Sequence, residues 1–304
     1  MPAARRPSGA RRPTRTRRPR ARGRPAPVPR RQARPEPRRE RRRSDLLSRI
    51  LVAIPAAIIG IIFVDVGGTA FALFMIAIGW VALDELYRLL ARWRPLTLVG
   101  FASLAAMVLA ARYGNQRYVM EVAVATLPVL FLFVLGRGTV GHETVAIAGT
   151  LLGVYWVGFA FAHAELLRQT AHGNGVLLDV LIGTFLGDTC AYIGGRLFGR
   201  RPLAPAISPN KTVEGLFCGM LIAILAVFFA GIYQTWMTHT DALLLGFAVA
   251  ILGPLGDLFE SLVKRESGAK DAGRLFGAHG GALDRIDGVL FTVVAGYYIW
   301  LAVS

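Results

Sequence analysis

The chain has 304 residues, 54% of them hydrophobic, and a mean hydropathy of +0.48, which excludes an ordinary soluble domain and leaves room for many membrane crossings. Its formal charge of +16 resides in residues 1–43, where 18 arginines face only Glu36 and Glu40, so the remainder is neutral. Two cysteines, Cys190 and Cys218, each lie inside an apolar run, which gives no basis for a disulfide framework or a cysteine-based metal site.

Residues 1–43 consist largely of Arg, Pro and Ala. With almost no bulky apolar side chain, this segment cannot offset its ordering entropy and reads as a disordered cytoplasmic tail. Its basic region is too long for a secretory signal peptide, and the apolar run that follows lacks a small-residue cleavage site. An orientation signal and tether to an anionic lipid surface is the favoured role, since each Arg near such a surface contributes about 1 kcal/mol. A nonspecific nucleic-acid arm and a segment without function are the other readings. No specific nucleic-acid partner is expected.

From Leu46 onward the apolar runs suit helices that cross about 30 Å of hydrocarbon. They fall near residues 47–64, 69–90, 96–111, 119–136, 144–163, 175–198, 213–233, 241–260 and 286–303. The expected fold is therefore all-α, a polytopic integral membrane protein with about nine transmembrane helices. N-terminal helices occupy 44–170 and a C-terminal catalytic region 171–304. Pro55, Pro128 and Pro254 fall inside runs and are expected to kink or break them. With the tail in the cytoplasm, nearly all Lys and Arg fall on the same side; only Arg112, Arg117 and Arg168 fall opposite. That asymmetry follows the positive-inside rule and places the loops at 196–212 and 264–285 in the cytoplasm. A multi-pass protein of the cell membrane with a cytoplasmic N-terminus is the expected location, and a homodimer is compatible with it.

The N-terminal half offers little chemistry by this reading. Asp84, Glu85, Glu121, Glu143 and Glu165 stand near expected helix ends as solvated or interfacial charges, and His142, His163, His172 and His239 lack ligand spacing. The sixth run differs, because Asp188 lies near its middle, where an ionised side chain costs roughly 2.5–3.5 kcal/mol. Asp188 and Tyr192 are expected to line a polar cavity among Gly183, Gly187, Gly194 and Gly195; a hydrogen bond to a neighbouring helix is the structural alternative. In the segment 200–215, Ser208-Pro209 begins a turn, Lys211 supplies an ammonium, and Thr212 suits the cap of a helix whose amides attract phosphate oxygens. Glu214 in that first turn also suits the helix dipole. At the end of the eighth run, Gly253-Pro254-Leu255-Gly256-Asp257 is expected to break the helix and deliver a carboxylate to the boundary.

The densest mixture of charge is Ser261–Asp287, with Lys264, Arg265, Lys270, Arg274 and Arg285 beside Glu266, Asp271, Asp284 and Asp287. Asp284 and Asp287 share one helix face by their spacing. Carboxylate oxygens suit hard cations such as Mg2+, so Asp257, Asp284 and Asp287 form the candidate metal set, with salt bridging to Arg285 or Lys264 as the alternative. Lys264, Arg265, Lys270 and Arg285 neutralise phosphate charge, the arginines bidentately. His279 beside Gly280 and Gly281 suits phosphate contact, acid–base work or a cap.

Ser261, Lys264-Arg265, Lys270-Asp271, His279-Gly280-Gly281 and Asp284-Arg285-x-Asp287 resemble the C-terminal signature of the phosphatidate cytidylyltransferases, or CDP-diacylglycerol synthases. Ser208-Pro-x-Lys-Thr-x-Glu214-Gly, Asp188 with Ala191-Tyr192, and Gly256-Asp257 follow that family's order. Departures are Gly277-Ala278 for the usual Pro-Gly, Asn210, Ala282, and Gly288 for the usual Ser. The resemblance implies transfer of a cytidylyl group from CTP to phosphatidic acid, giving CDP-diacylglycerol and pyrophosphate, with Mg2+ and room for a second cation. It implies catalytic roles for Asp257, Asp284, Asp287 and Lys264, the aspartates as metal ligands. Substrate contacts are then expected from Ser208, Lys211, Thr212, Glu214, Arg265, Lys270, Asp271, His279, Gly280, Gly281, Arg285, Asp188 and Tyr192. A CTP-dependent polyprenol kinase and a multi-span transporter are the competing readings.

Overall fold

A computed structural model of the chain describes residue 55 and residues 57–137, 141–273 and 280–304. The Arg-rich tail, Arg274, His279 and the Gly277-Ala278 departure lie outside the described residues. Nine helices occupy the described residues: α1 (Ala57–Val66), α2 (Gly68–Leu89), α3 (Thr97–Tyr113), α4 (Gln116–Arg137), α5 (Glu143–Gln169), α6 (Gly173–Phe198), α7 (Val213–Ile232), α8 (His239–Glu266) and α9 (Leu283–Val303). Seven of them are long and apolar enough to cross a membrane; α1 and α3 are shorter. A π turn at Val154–Gly158 interrupts α5.

One departure from an all-helical reading is a two-stranded antiparallel hairpin between α6 and α7, β1 (Pro202–Ala204) and β2 (Ser208–Thr212), with Pro202 opposite Thr212 and Ala204 opposite Ser208. Ser208-Pro209 thus starts the returning strand instead of a turn. Pro209 is exposed, as expected of an edge residue that cannot donate to a ladder.

The helix-breaking role expected of Gly253-Pro254 is also overturned. Helix α8 runs through Pro254 to Glu266, and α4 likewise contains Pro128. Proline removes one donor and crowds one carbonyl, a disruption that a packed membrane bundle tolerates. Asp257 therefore projects from within a helix, not from a loop. A capping box between Thr238 and Asp241 sets the start of that helix, satisfying two of its first donors.

Small residues draw the C-terminal helices together. A side-chain carbon at Gly187 of α6 would lie 3.1 Å from the Ala223 Cβ and 3.4 Å from the Gly219 carbonyl oxygen of α7, and one at Gly215 would lie 2.6 Å from the Ala191 carbonyl oxygen. These positions recur every four residues, so α6 and α7 meet backbone to backbone, as small-residue stripes allow in lipid. Helix α8 meets α9 in the same way. A carbon at Gly256 would fall 2.5 Å from the Asp287 carbonyl oxygen and 3.1 Å from the Gly288 Cα. The close approach lies directly beside Asp257 and Asp287.

Two carboxylates placed at solvated boundaries by sequence reasoning are buried instead. Glu165 is fully buried near Arg112 and accepts a hydrogen bond from Gln169, and Glu85 is buried against the start of α9. Asp84 and Glu121 do sit at the surface, paired with Arg88 at 2.6 Å and Arg117 at 2.9 Å. Buried His163 hydrogen-bonds the Phe159 carbonyl and the Tyr298 hydroxyl, a packed core histidine.

Candidate active site

The ends of several elements converge at one end of the bundle: the C-terminal end of α2, the hairpin after α6, the N-terminal end of α7, the last turns of α8 and the first turns of α9. Three carboxylates meet there. One oxygen each from Asp257, Glu260 and Asp287 lies within 4.8 Å of the other two. Asp257 and Glu260 are one turn apart on α8, and Asp287 arrives on α9 across the Gly256 contact. Glu260 is 1% exposed, and its Oε1 has no hydrogen-bond partner among the described residues. A buried acceptor left open beside two other carboxylates suits a hard cation, which oxygen ligands favour. The donor set thus fits Mg2+.

Asp188 approaches the same cluster from α6. A carbon at Gly288, next to Asp287, would lie 3.6 Å from its Oδ2, an ordinary contact distance that puts Asp188 close to the start of α9. Asp188 lies within electrostatic reach of Asp257 and Lys211. Tyr192, one turn along, is exposed and contacts Arg196 at 3.5 Å.

Two lysines border the carboxylates. Lys211 on β2 forms an ion pair with Asp257. Lys264 is held between Glu260, one turn back on α8, and Asp284 at 2.8 Å. Asp284, which lies outside the three-carboxylate cluster, also accepts the backbone N–H groups of Gly281 at 2.7 Å and of Ala272 at 3.0 Å. Its carboxylate thereby ties Ala272, beyond the end of α8, to Gly281, just before α9. Gly280 turns the chain there at φ +83°, where a side-chain carbon would also fall 2.5 Å from Asp284 Oδ2, a conformation that glycine adopts without strain.

The remaining expected site residues divide by what they touch. Thr212 caps α7, its hydroxyl accepting from Gly215 N–H at 3.1 Å. Glu214 accepts the N–H groups of Arg200 at 2.9 Å and Arg201 at 3.2 Å, which fastens the base of the hairpin. Arg265 donates to the Ile207 carbonyl at 3.0 Å and ties the hairpin tip to α8. Ser208 is half-buried on β2, and Lys270, Asp271 and Arg285 are exposed. Sequence reasoning missed Glu260 and Glu85. The first is recoverable from its i, i+3 spacing to Asp257; the second carries no local signal.

A profile of the cytidylyltransferase family matches residues 47–303. The chain is 34% identical to the phosphatidate cytidylyltransferase of Bacillus subtilis (strain 168) over 265 residues, 84% of this chain and 97% of the relative. It is 32% identical to the phosphatidate cytidylyltransferase of Staphylococcus haemolyticus over 254 residues, 81% of this chain and 95% of that one. A 164-residue match at 33% identity links it to the phosphatidate cytidylyltransferase of Mycobacterium tuberculosis H37Rv, 54% of this chain and 50% of the relative. These relatives are nucleotidyltransferases by name, and seven helices of this chain are long and apolar enough to cross a membrane, so the class is that of a multi-pass membrane nucleotidyltransferase. Within that class, the chain belongs to the cytidylyltransferase family.

Proposed function

We propose that the chain transfers the cytidylyl group of CTP to phosphatidic acid, releasing pyrophosphate and leaving CDP-diacylglycerol in the bilayer for phospholipid synthesis. The observation that carries the site assignment is the meeting of Asp257, Glu260 and Asp287 between two lysines. A diacyl lipid is held in the bilayer by about 0.8 kcal/mol per buried CH2, so its phosphate reacts at the membrane boundary.

Asp257, Glu260 and Asp287 would hold Mg2+, with Asp188 at the edge of the set and room for a second cation. The ion supplies charge neutralisation of the triphosphate. Lys211 and the exposed Arg285 and Lys270 attract and orient phosphate oxygens, while the hairpin, fixed by Glu214 and Arg265, presents Lys211 to the site. An oxygen of the lipid phosphate attacks the α-phosphorus in line, and the bond to the β-phosphate breaks as pyrophosphate leaves. Positioning and charge neutralisation carry such a step. Asp284 and Lys264 hold Ala272, Gly281 and one ligand in place.

The hydrogen bond from Leu283 N–H to Glu85 supports nine crossings with a cytoplasmic N-terminus. It puts the end of α2 and the start of α9 at one face, so an even number of crossings lies between them; α3 through α8 supply six only if α3 spans. The 17 residues of α3 rise about 25 Å. With α1 also spanning, a cytoplasmic N-terminus accords with the distribution of Lys and Arg. The cell membrane is the expected location.

Purified protein incubated with phosphatidic acid, Mg2+ and CTP labelled at the α-phosphate should move label into the lipid phase. Label retained in water while the lipid gains the terminal phosphate would assign a kinase instead.

A further inference from the structure

Glu85 stands in α2, far in sequence from every other residue of the site. Its neighbour Asp84 is a surface carboxylate paired with Arg88, whereas Glu85 turns into the bundle and is 5% exposed. Its Oε2 accepts the backbone N–H of Leu283, the first residue of α9, at 2.9 Å. That N–H is among the donors a helix leaves unsatisfied at its start, and an anion there also suits the helix dipole. Side-chain carbons at Gly273 and at Gly281 would both land on the Glu85 carboxylate, so the chain encloses it from two sides. Asp284 fastens the same two stretches through Ala272 and Gly281.

We propose that Glu85 is a positioning residue of the active site, setting the entry of α9 and hence the place of Asp287 among the metal-holding carboxylates. Asp287 follows Leu283 by about one turn, so a shift in the first turn of α9 moves its carboxylate directly. Glu85 touches neither substrate nor metal. It acts through the backbone of Leu283 and through the two glycines, and it makes the N-terminal half of the chain a determinant of site geometry. The inference rests on the proposed metal-dependent reaction and can fail independently of it.

The test measures kcat, the KM for phosphatidic acid, the Mg2+ midpoint of activity, and Mn2+ binding to the purified full-length protein by electron paramagnetic resonance. Glu85→Ala should lower kcat and weaken Mn2+ binding by about ten- to a hundredfold, the range typical of residues that orient metal ligands, with the KM for phosphatidic acid within about twofold. Glu85→Gln, which keeps an acceptor for Leu283 N–H, should restore most of both losses. Gly281→Ala in the otherwise native chain should reproduce them, and its effect should shrink in a Glu85→Ala background, where the carbon no longer meets a carboxylate. Where Glu85→Ala fails to accumulate, Glu85→Asp, one methylene short of Leu283, gives the same readouts. Native kcat with native Mn2+ affinity in Glu85→Ala, or multiplicative effects of the two substitutions, would overturn the proposal. A wild-type protein that binds no Mn2+ and needs no divalent ion removes the metal reading instead, and Glu85 is then decided by kcat and the double-variant coupling.

Discussion

Gly256 on α8 lies directly against the backbone carbonyl of Asp287 on α9, and a carbon added at Gly256 would stand 2.5 Å from that oxygen. No flexible side chain is available to yield there. Gly256→Ala must therefore part the two helices, at an overpacking cost of about 1–3 kcal/mol. Because Asp257 and Asp287 flank the contact, a displacement of about 1 Å is expected to cost on the order of a hundredfold in kcat. Steady-state turnover of the detergent-purified variant measures it, and turnover near the native value would show that the contact does not set the carboxylate spacing.

Glu260 joins Asp257 and Asp287 in the candidate metal site. Glu260→Gln and Asp287→Asn should each raise the Mg2+ concentration needed for half-maximal activity by at least about tenfold. Chelation of the wild-type enzyme should abolish turnover, and added Mg2+ should restore it. A Glu260→Gln enzyme with the native Mg2+ midpoint would remove Glu260 from the metal set and leave it as a partner of Lys264.

Lys264, Glu260 and Asp284 form a largely buried ion cluster. Removing one partner leaves charge uncompensated, an effect of about 3–5 kcal/mol for buried pairs. Lys264→Met is expected to lower thermal stability in detergent and to lose turnover. Asp284→Asn should also abolish turnover, and it should loosen the chain at Ala272 and Gly281, visible as faster backbone amide exchange at those two residues. Unchanged exchange together with lost activity would return Asp284 to direct metal or substrate contact.

Arg265 reaches the Ile207 carbonyl and fixes the hairpin that carries Lys211. A hydrogen bond from a charged group contributes about 1.5–3 kcal/mol, so Arg265→Ala should raise the KM for CTP by about ten- to a hundredfold while the KM for phosphatidic acid stays near native. Equal changes in both constants would indicate a general loosening of the bundle.

Deletion of residues 1–43 should leave turnover in mixed micelles within about twofold, since the matched family region begins at residue 47. The expected loss is in binding to anionic vesicles at low salt, by about 1 kcal/mol for each arginine that contacts the surface. Complete loss of turnover in micelles would give the tail a part in the reaction.

Hydropathy alone placed an apolar run close to each of the nine helices among the described residues, seven of them long and apolar enough to cross a membrane, because length and apolarity are local properties of the chain. Pro254 shows where local rules fail: α8 runs on through it, because a packed membrane bundle tolerates a lost backbone donor that would disrupt an isolated helix. The hairpin was hidden because three- and five-residue strands have too little period to register beside long apolar runs. Asp257 and Asp287 stood out in the sequence as charges at a membrane boundary, but the place of Glu260 beside them did not. Asp284 and Glu260 both lie one turn from a neighbouring site carboxylate, and only packing reveals that Lys264 and two backbone amides engage Asp284. Glu85 was illegible, since nothing around it in sequence separates it from the solvated Asp84.

The hydrogen bond between Glu85 and Leu283 joins residues 198 positions apart, and the third carboxylate of the cluster, Asp287, comes only in α9. During synthesis, all the helices before α9 are translated before the last carboxylate of the triad leaves the ribosome. A chain cut short of α9 is therefore expected to show no turnover, since it lacks both Asp287 and the Leu283 partner of Glu85.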